Sequence, residues 1–503
     1  MRGDCLQSRE RESPFLEWID YEVVFNGSFQ FLIEVLTEGE TENMTLRTHR
    51  RNFLKSAVVA GAGTVIATDL LAQESPNEKV AFACVGIGGK GQSDSEDAKK
   101  FGQVVAFCDT NRNQLKGGTK RFEGAQPFED FREMFDKMGD SIDAFTVSTP
   151  DHMHAPIAAY GMLRGKHVYC QKPLTRTISE ARALAQIAKK NKVVSQMGNQ
   201  MAADTNARET EALLRAGLVG NVQKVIVWTN RPIWPQGGER GEAAPVPAYL
   251  NWKCWLGVAP ERPFVPGAYD PFAWRGWWDF GTGALGDMAC HTLHVPTLAL
   301  TLRDPVSVQA TTSGHNFDSF PKWSEINFEF PAIGDRPALQ MQWLDGGKRP
   351  SPDQLCGQEP YSSAFVVIGD DGVCYSPDDY GRTRVLGGNA KDKEADMLEA
   401  IRKEGKIREA PRGHFGEFVD GIKMGDPLYP VSNMITHGGG ITETILLGNL
   451  AVWAASEPEK LGQKIEWDAK NLKILGNPAD RERLESLVFP KYENGYEQLK
   501  PEM

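Results

Sequence analysis

The segment from residue 80 to 109 constrains the fold of this chain more than any other. The apolar run Val80–Val85 enters Gly86-Ile87-Gly88-Gly89-Lys90-Gly91, and a second apolar run, Val104–Cys108, ends on Asp109. In that order Gly86 permits a tight turn out of the strand, Gly88 lets the backbone approach a pyrophosphate, and Gly91 lets the next helix pack closely. The N-terminus of that helix then offers free N–H groups to an anion. An acid 18 residues after the last glycine falls where a ribose presents its hydroxyls. Glycine makes up 50 of the 503 residues, so the glycine spacing alone would be a weak signal. Strand, glycines, helix and acid in sequence predict a dinucleotide site.

A chain of this length buries a large core and splits into two or more domains. Its formal net charge of −11 gives no basic surface for nucleic acid or an anionic membrane, which leaves small neutral ligands. The eight cysteines (5, 84, 108, 170, 254, 290, 356 and 374) contain no C-x-x-C and no metal-finger spacing. Cys84, Cys108 and Cys170 lie in apolar runs and read as small core residues.

The N-terminus resembles a twin-arginine (Tat) export signal. Arg50-Arg51 precedes Asn52-Phe53-Leu54-Lys55, and Ser56 to Thr68 is uncharged and rich in Ala, Val and Gly. Such a stretch is too short to span a bilayer core of about 30 Å. We expect residues 1–43 to be a doubtful extension, Met44 to be the start, 44–75 to be the signal with cleavage near Ala72, and the mature chain to be periplasmic or otherwise exported through the Tat translocon, with no membrane span.

After Asp109 the sequence alternates strands and helices. Helices are expected over 112–122 and 179–190, the latter capped at Ser179, with strands over 142–147, 167–170 and 193–196. This pattern predicts a doubly wound parallel sheet, an NAD-binding Rossmann domain over 78–200. Beyond it, strands over 222–228, 306–312, 326–330, 339–343, 364–369 and 372–375 predict a second α/β domain over 201–470, built on an open-faced, mostly antiparallel sheet. A Trp-rich stretch runs from 231 to 278, Gly346 to Gly357 reads as an exposed loop, and 471–503 as a C-terminal tail. In 326–330 and 339–343 the apolar residues share one side at period two. An apolar outer face would need a partner, so we expect a homodimer or homotetramer through that sheet. The alternative leaves Asn327, Glu329, Gln340 and Gln342 outside as ordinary polar surface.

Four motifs in order carry a resemblance: the glycine run, Ser148-Thr149-Pro150-Asp151-His152-Met153-His154, Gln171-Lys172-Pro173 after a strand, and Asp287-Met288-Ala289-Cys290-His291. Over residues 78 to 460 the chain resembles the Gfo/Idh/MocA oxidoreductases. The resemblance implies a sugar or polyol bound beside a nicotinamide. It also implies that Thr149, Pro150, His154, Gln171, Lys172 and Asn199 join Gly86, Gly88, Gly91 and Asp109 around the nucleotide, and that Lys172, Asp287 and His291 are the catalytic trio.

The side chains suit that chemistry. Oxidising a secondary alcohol needs a group to take the hydroxyl proton as hydride leaves. Asp287 and His291, four residues apart, share a helix face, so a carboxylate can orient the imidazole. Lys172, at a strand's C-terminal end, faces the ligand crevice. Arg275, Trp277 and His294 are the tentative substrate residues, with Arg231 and Asp279 as further hydroxyl partners. Asp109 disfavours a 2′-phosphate, so NAD is expected over NADP, with Arg112 the one residue able to compensate.

Gln171 replaces the family's usual Glu, and His294 replaces a frequent acid. Asp287, His291 and His294 could instead form a 2-His-1-carboxylate metal site; we expect no metal. Other readings are an exported NAD-dependent glycosidase that keeps its nucleotide bound through oxidation, elimination and reduction, and a non-catalytic sugar-binding protein.

Overall fold

Six short apolar strands, each followed by a helix or turn, line up in parallel in the order β3-β2-β1-β4-β5-β6. The structure, a computed structural model, describes residues 79–502. The strands are β1 (Val80–Val85), β2 (Gly102–Cys108), β3 (Gln126–Phe128), β4 (Ala144–Val147), β5 (His167–Cys170) and β6 (Ser195–Met197), and the helices between them are α1 (Lys90–Phe101), α2 (Arg112–Arg121), α3 (Phe131–Met138), α4 (His154–Met162) and α5 (Ile178–Asn191). β1 and β4 are buried on both faces, as continuous apolar runs in a parallel sheet should be. The strand order reverses between β1 and β4, and a crevice opens at their carboxyl ends.

The expected α5 starts slightly earlier than its sequence suggests. Thr177, not Ser179, closes it: Glu180 Oε2 accepts from both Thr177 N (3.0 Å) and Thr177 Oγ1 (2.7 Å). Ser179 is already inside the first turn, because the reciprocal capping box selects the Thr three residues before Glu180.

After α6 (Thr205–Arg215), β7 (Val222–Trp228) enters a nine-stranded sheet ordered β13-β12-β11-β7-β10-β9-β8-β14-β15. In chain order its elements are α7 (Trp252–Leu256), α8 (Gly283–Thr292), α9 (His294–Leu300), β8 (Ser307–Thr312), β9 (Ser324–Phe330), β10 (Leu339–Leu344), β11 (Ala364–Gly369), β12 (Gly372–Ser376), β13 (Val385–Gly388), α10 (Ala390–Lys403), α11 (Gly413–Met424), α12 (Gly439–Trp453), β14 (Ile465–Asp468), β15 (Lys473–Ile474) and α13 (Arg481–Val488). Only β7 and β10 run parallel; the other ladders are antiparallel, as expected.

α12 is apolar on nearly every side and buried along its length except at Glu443, which pairs with Arg182. It lies against β8, β9, α5 and α8, so it covers one face of the second sheet and ties it to the first. That arrangement corrects the expectation about the sheet's apolar side. Ile326, Phe328, Phe330, Leu339, Met341 and Trp343 are all buried within this chain, and Asn327 and Gln340 face outward. Gly346 to Gly357 is likewise not a simple exposed loop, because Leu355 packs fully buried with Ile226, Trp228 and Val366 on the sheet's other face. The stretch after 471 packs too: Tyr492 and Tyr496 are buried, and Tyr492 Oη donates to Glu180 Oε1 at 2.6 Å.

No described helix is long and apolar enough to cross a membrane. The seven described cysteines are free thiols. The Tat-like segment lies outside the described residues.

Candidate active site

A cavity of about 460 Å³ opens where the first sheet's strand order reverses. Its floor is the glycine turn. Gly86 has φ +75°, and a Cβ there would sit 2.6 Å from Ser148 O. A Cβ on Gly91 would stand 2.0 Å from Gly86 O, so helix α1 packs on the turn only through hydrogen. Gly88 would meet only the Gln114 side chain, which leaves its backbone open to a ligand. Asp109 closes β2: Oδ2 accepts from Ile87 N (3.0 Å) and Oδ1 from Asn111 N (2.9 Å). Burial pushes the Asp109 carboxyl upward against those hydrogen bonds. The glycine turn, the cavity-lining start of α1 at Lys90 and Asp109 fit a dinucleotide, the pyrophosphate over the turn and a ribose at Asp109.

Residues distant in sequence roof the ribose end. Asn251 N donates to Thr110 O and Arg112 N to Tyr249 O, both at 2.8 Å, and Trp255 and Tyr496 reach the same wall. Arg112 is engaged elsewhere: Nε and Nη2 bind the two Glu129 oxygens at 2.7 and 3.2 Å, and Nη1 donates to Ala248 O.

At the other end, three charged side chains meet on one oxygen. Lys172 Nζ donates to Asp287 Oδ1 (2.8 Å) and to Asp287 O (2.7 Å), and Arg275 Nε donates to the same Oδ1 (3.0 Å). Burial raises the Asp287 carboxyl, but Lys172 and Arg275 outweigh it and hold it well below the usual carboxylate range. His291, one turn along α8, lines the cavity. Burial first, and the Lys172 charge second, push its imidazole down to about 3, so it is neutral at pH 7. Its Nδ1 is buried without a partner, and Tyr380 packs edge-on with ring centres 4.9 Å apart. Asp287 and His291 share a helix face as expected. The orienting bonds of the carboxylate go to Lys172 and Arg275 instead.

Gln171 lacks a charge, but one is supplied from α1. Asp94, fully buried, accepts from Gln171 Nε2 (2.8 Å) and Ser148 Oγ (2.7 Å) at Oδ2 and from Lys90 Nζ (2.6 Å) at Oδ1. Sequence reasoning missed Asp94; the only local signal was its i, i+4 spacing from Lys90.

Of the other expected residues, Thr149, Pro150, His154, Gln171, Lys172 and Arg275 reach the cavity. Both His154 nitrogens face carbonyls, Pro173 O and Thr149 O at 2.8 Å each, which fixes the ring between β5 and the β4 loop. Gly91 lies beneath the turn as packing. Trp277 is core, its Nε1 donating to Ala268 O at 2.6 Å among Tyr269 and Phe280; of the Trp-rich stretch, Trp255 and Trp274 reach the wall. Asp279 is taken by Arg240 and Arg262. His294 opens a separate helix and turns its Nδ1 to His437 Nε2 (2.8 Å) and Asn199 Nδ2 (3.1 Å), so His294 and Asn199 lie off the wall. Asp287, His291 and His294 therefore address different neighbours, and among the described residues no three His, Cys, Asp or Glu side chains are placed to hold a metal.

A dinucleotide-binding sheet joined to an open-faced mixed sheet, with a Lys–Asp–His cluster between them, defines a two-domain nucleotide-dependent oxidoreductase fold. Residues 80–199 match the oxidoreductase family's NAD-binding Rossmann fold and residues 203–336 its C-terminal alpha/beta domain, together half of the chain. The chain belongs to the Gfo/Idh/MocA oxidoreductase family.

It is 32% identical over 153 residues to a glycosyl hydrolase family 109 protein of Solibacter usitatus, covering 27% of this chain and 35% of that one. It is 24% identical over 187 residues to the levoglucosan dehydrogenase of Pseudarthrobacter phenanthrenivorans, covering 37% and 40%. The matches thus span about a third to two-fifths of the length of these two curated relatives. Among solved structures, the WlbA dehydrogenase of Chromobacterium violaceum, in complex with NADH and UDP-GlcNAcA, shares the fold at a TM-score of 0.55 and 16% identity, over 78% of this chain and 96% of that one.

Proposed function

We propose that this protein is an NAD-dependent oxidoreductase that moves a hydride between a nicotinamide and a secondary hydroxyl of a sugar, polyol or glycoside. The observation that carries the reading is that Lys172, Arg275 and a neutral His291 stand on the wall of the nucleotide cavity, with Asp287, itself not a lining residue, pairing both cations. When bound, the nicotinamide supplies the hydride acceptor. An ammonium has three donors, and two of those of Lys172 go to Asp287, so the third is left to polarise the reacting oxygen. His291, uncharged at pH 7, takes the hydroxyl proton. Asp287 stays ionised, holds Lys172 and Arg275 in place and offsets the charge that develops on the imidazole.

Asp109 and the engagement of Arg112 by Glu129 support NAD over NADP. Similarity to a levoglucosan dehydrogenase supports a carbohydrate substrate. Similarity to glycosyl hydrolase family 109 proteins supports a second reading, a glycosidase that keeps its nucleotide through a redox cycle. The two separate on one assay. Net NADH formation from free NAD and a sugar or polyol identifies the dehydrogenase; cleavage of an aryl glycoside without added NAD identifies the glycosidase.

The twin arginine supports Tat export to the periplasm. Arg50→Lys with Arg51→Lys should leave the protein in the cytoplasm, and a double variant still found outside would refute export by this route. Association into a homodimer or homotetramer belongs to the same proposal, although the apolar face of the second sheet that would drive it is covered within the chain, and Asn327 and Gln340 stand outside as polar surface.

A further inference from the structure

Asp151 stands in the cavity wall with Lys172, Arg275 and His291, yet it has no part in the hydride chemistry derived above. Its side chain is 4% exposed. Oδ2 accepts from Thr282 Oγ at 2.6 Å, and Oδ1 has no partner among the described residues. Thr282 opens α8, the helix that carries Asp287 and His291, so one hydrogen bond fixes the Asp151 carboxyl relative to the reacting groups. Most buried acceptors in this site are filled: Asp94 takes three donors and Asp287 takes two cations. Asp151 lines the cavity a substrate would enter, and its Oδ1 accepts no hydrogen bond from the described residues.

We propose that Asp151 is a substrate-binding residue of this cleft, its Oδ1 accepting a hydrogen bond from a hydroxyl that neighbours the one oxidised. The inference rests on the oxidoreductase reading and narrows it: the preferred substrate is a sugar or polyol with adjacent hydroxyls, not a lone secondary alcohol. The charged and titratable groups around Asp151 are Cys170 and Lys172 from the end of β5, Arg275 from the turn before α8, Asp287, Cys290 and His291 on α8, and His152 and His154 from its own segment. Burial raises its carboxyl to about 7, with Thr282, Arg275 and Lys172 opposing. Near neutrality the group therefore changes from donor to acceptor, which makes substrate affinity pH-dependent.

The test compares Asp151→Asn and Asp151→Ala. Asn keeps an acceptor for Thr282 and the shape of the wall; Ala removes both. With a vicinal polyol such as myo-inositol, Asp151→Ala should raise KM about 10- to 100-fold, the range for hydrogen bonds to a charged group, with kcat and NAD affinity by fluorescence titration much less affected. Asp151→Asn should abolish the change in KM between pH 6 and 8. An unchanged KM in both variants overturns the proposal, and so does a KM increase matched by equal losses in NAD affinity and thermal stability. If the wild type oxidises no sugar or polyol, the oxidoreductase reading falls on its own. Calorimetric binding of myo-inositol and glucose to the NAD-loaded wild type and Asp151→Ala then judges Asp151: weaker binding to the variant supports it, and equal or absent binding in the wild type overturns it.

Discussion

Lys172 holds Asp287 at two points, its ammonium reaching the carboxylate at 2.8 Å and the main-chain carbonyl of the same residue at 2.7 Å. The double contact locks the lysine against helix α8 and fixes where its remaining N–H points. Lys172→Ala should therefore lower turnover by about 10² to 10⁴ fold, the usual weight of a positioned proton-transfer or polarising group. NAD affinity should be retained, because the glycine turn and Asp109 lie at the other end of the cavity. Steady-state kinetics beside a fluorescence titration checks both halves; near-normal turnover removes Lys172 from the mechanism.

Nucleotide choice is set around Asp109. Arg112 is drawn onto Glu129 and so is not free to meet a 2′-phosphate. Wild type should bind NAD more tightly than NADP. Glu129→Gln frees the guanidinium and should narrow the ratio by improving NADP binding. A preference for NADP in the wild type would contradict this account of the ribose end.

Two glycines separate folding from binding. Gly91→Ala drives a Cβ onto Gly86 O and should cost about 1–3 kcal/mol of stability, as overpacking does, seen as a lower thermal midpoint. Gly88→Ala meets only the flexible Gln114 side chain, so its midpoint should stay close to wild type while NAD affinity falls. Equal effects of the two on both readouts would mean that the turn is read wrongly.

Acid should destabilise the fold early. Burial pushes His152, His291 and His437 down to about 3, and His154, His167 and His414 to about 4. Between those values and 6.5 the unfolded chain binds protons that the folded chain does not, so stability rises with pH through that window. The stabilisation is fully present above about 6.5 and is lost as pH falls toward 3. Asp151, raised to about 7, and Asp345, raised to about 6, work in the opposite direction above about 4, but the six histidines outnumber them. Denaturant midpoints should therefore drop steadily from pH 7 to 4; a flat profile would contradict the buried neutral imidazoles.

Much of this was legible locally. Strand β1, the glycines and Asp109 lie within 30 residues in a fixed order, and the shared face of Asp287 and His291 follows from helical spacing. The contacts that complete the site were not. Gln171 meets Asp94 across 77 residues, and Lys172 meets Asp287 across 115, so only the folded chain assigns those partners. The second sheet is instructive in another way. Period two places Ile326, Phe328, Met341 and Trp343 on one face, but it does not state which face a helix covers, and α12 covers the apolar one. For Trp277, an aromatic in a Trp-rich stretch is equally suited to a sugar or a core, and its bond to Ala268 O decides for the core.

Hydride transfer at the Lys172–Asp287–His291 cluster is tested most directly by mixing purified protein, NAD and a panel of sugars and polyols and following absorbance at the NADH band, with His291→Ala in parallel. NADH should form with at least one vicinal polyol or sugar, and the variant should lose about 10² fold or more of that rate. No NADH from any member of the panel, or an unchanged rate in His291→Ala, would contradict it.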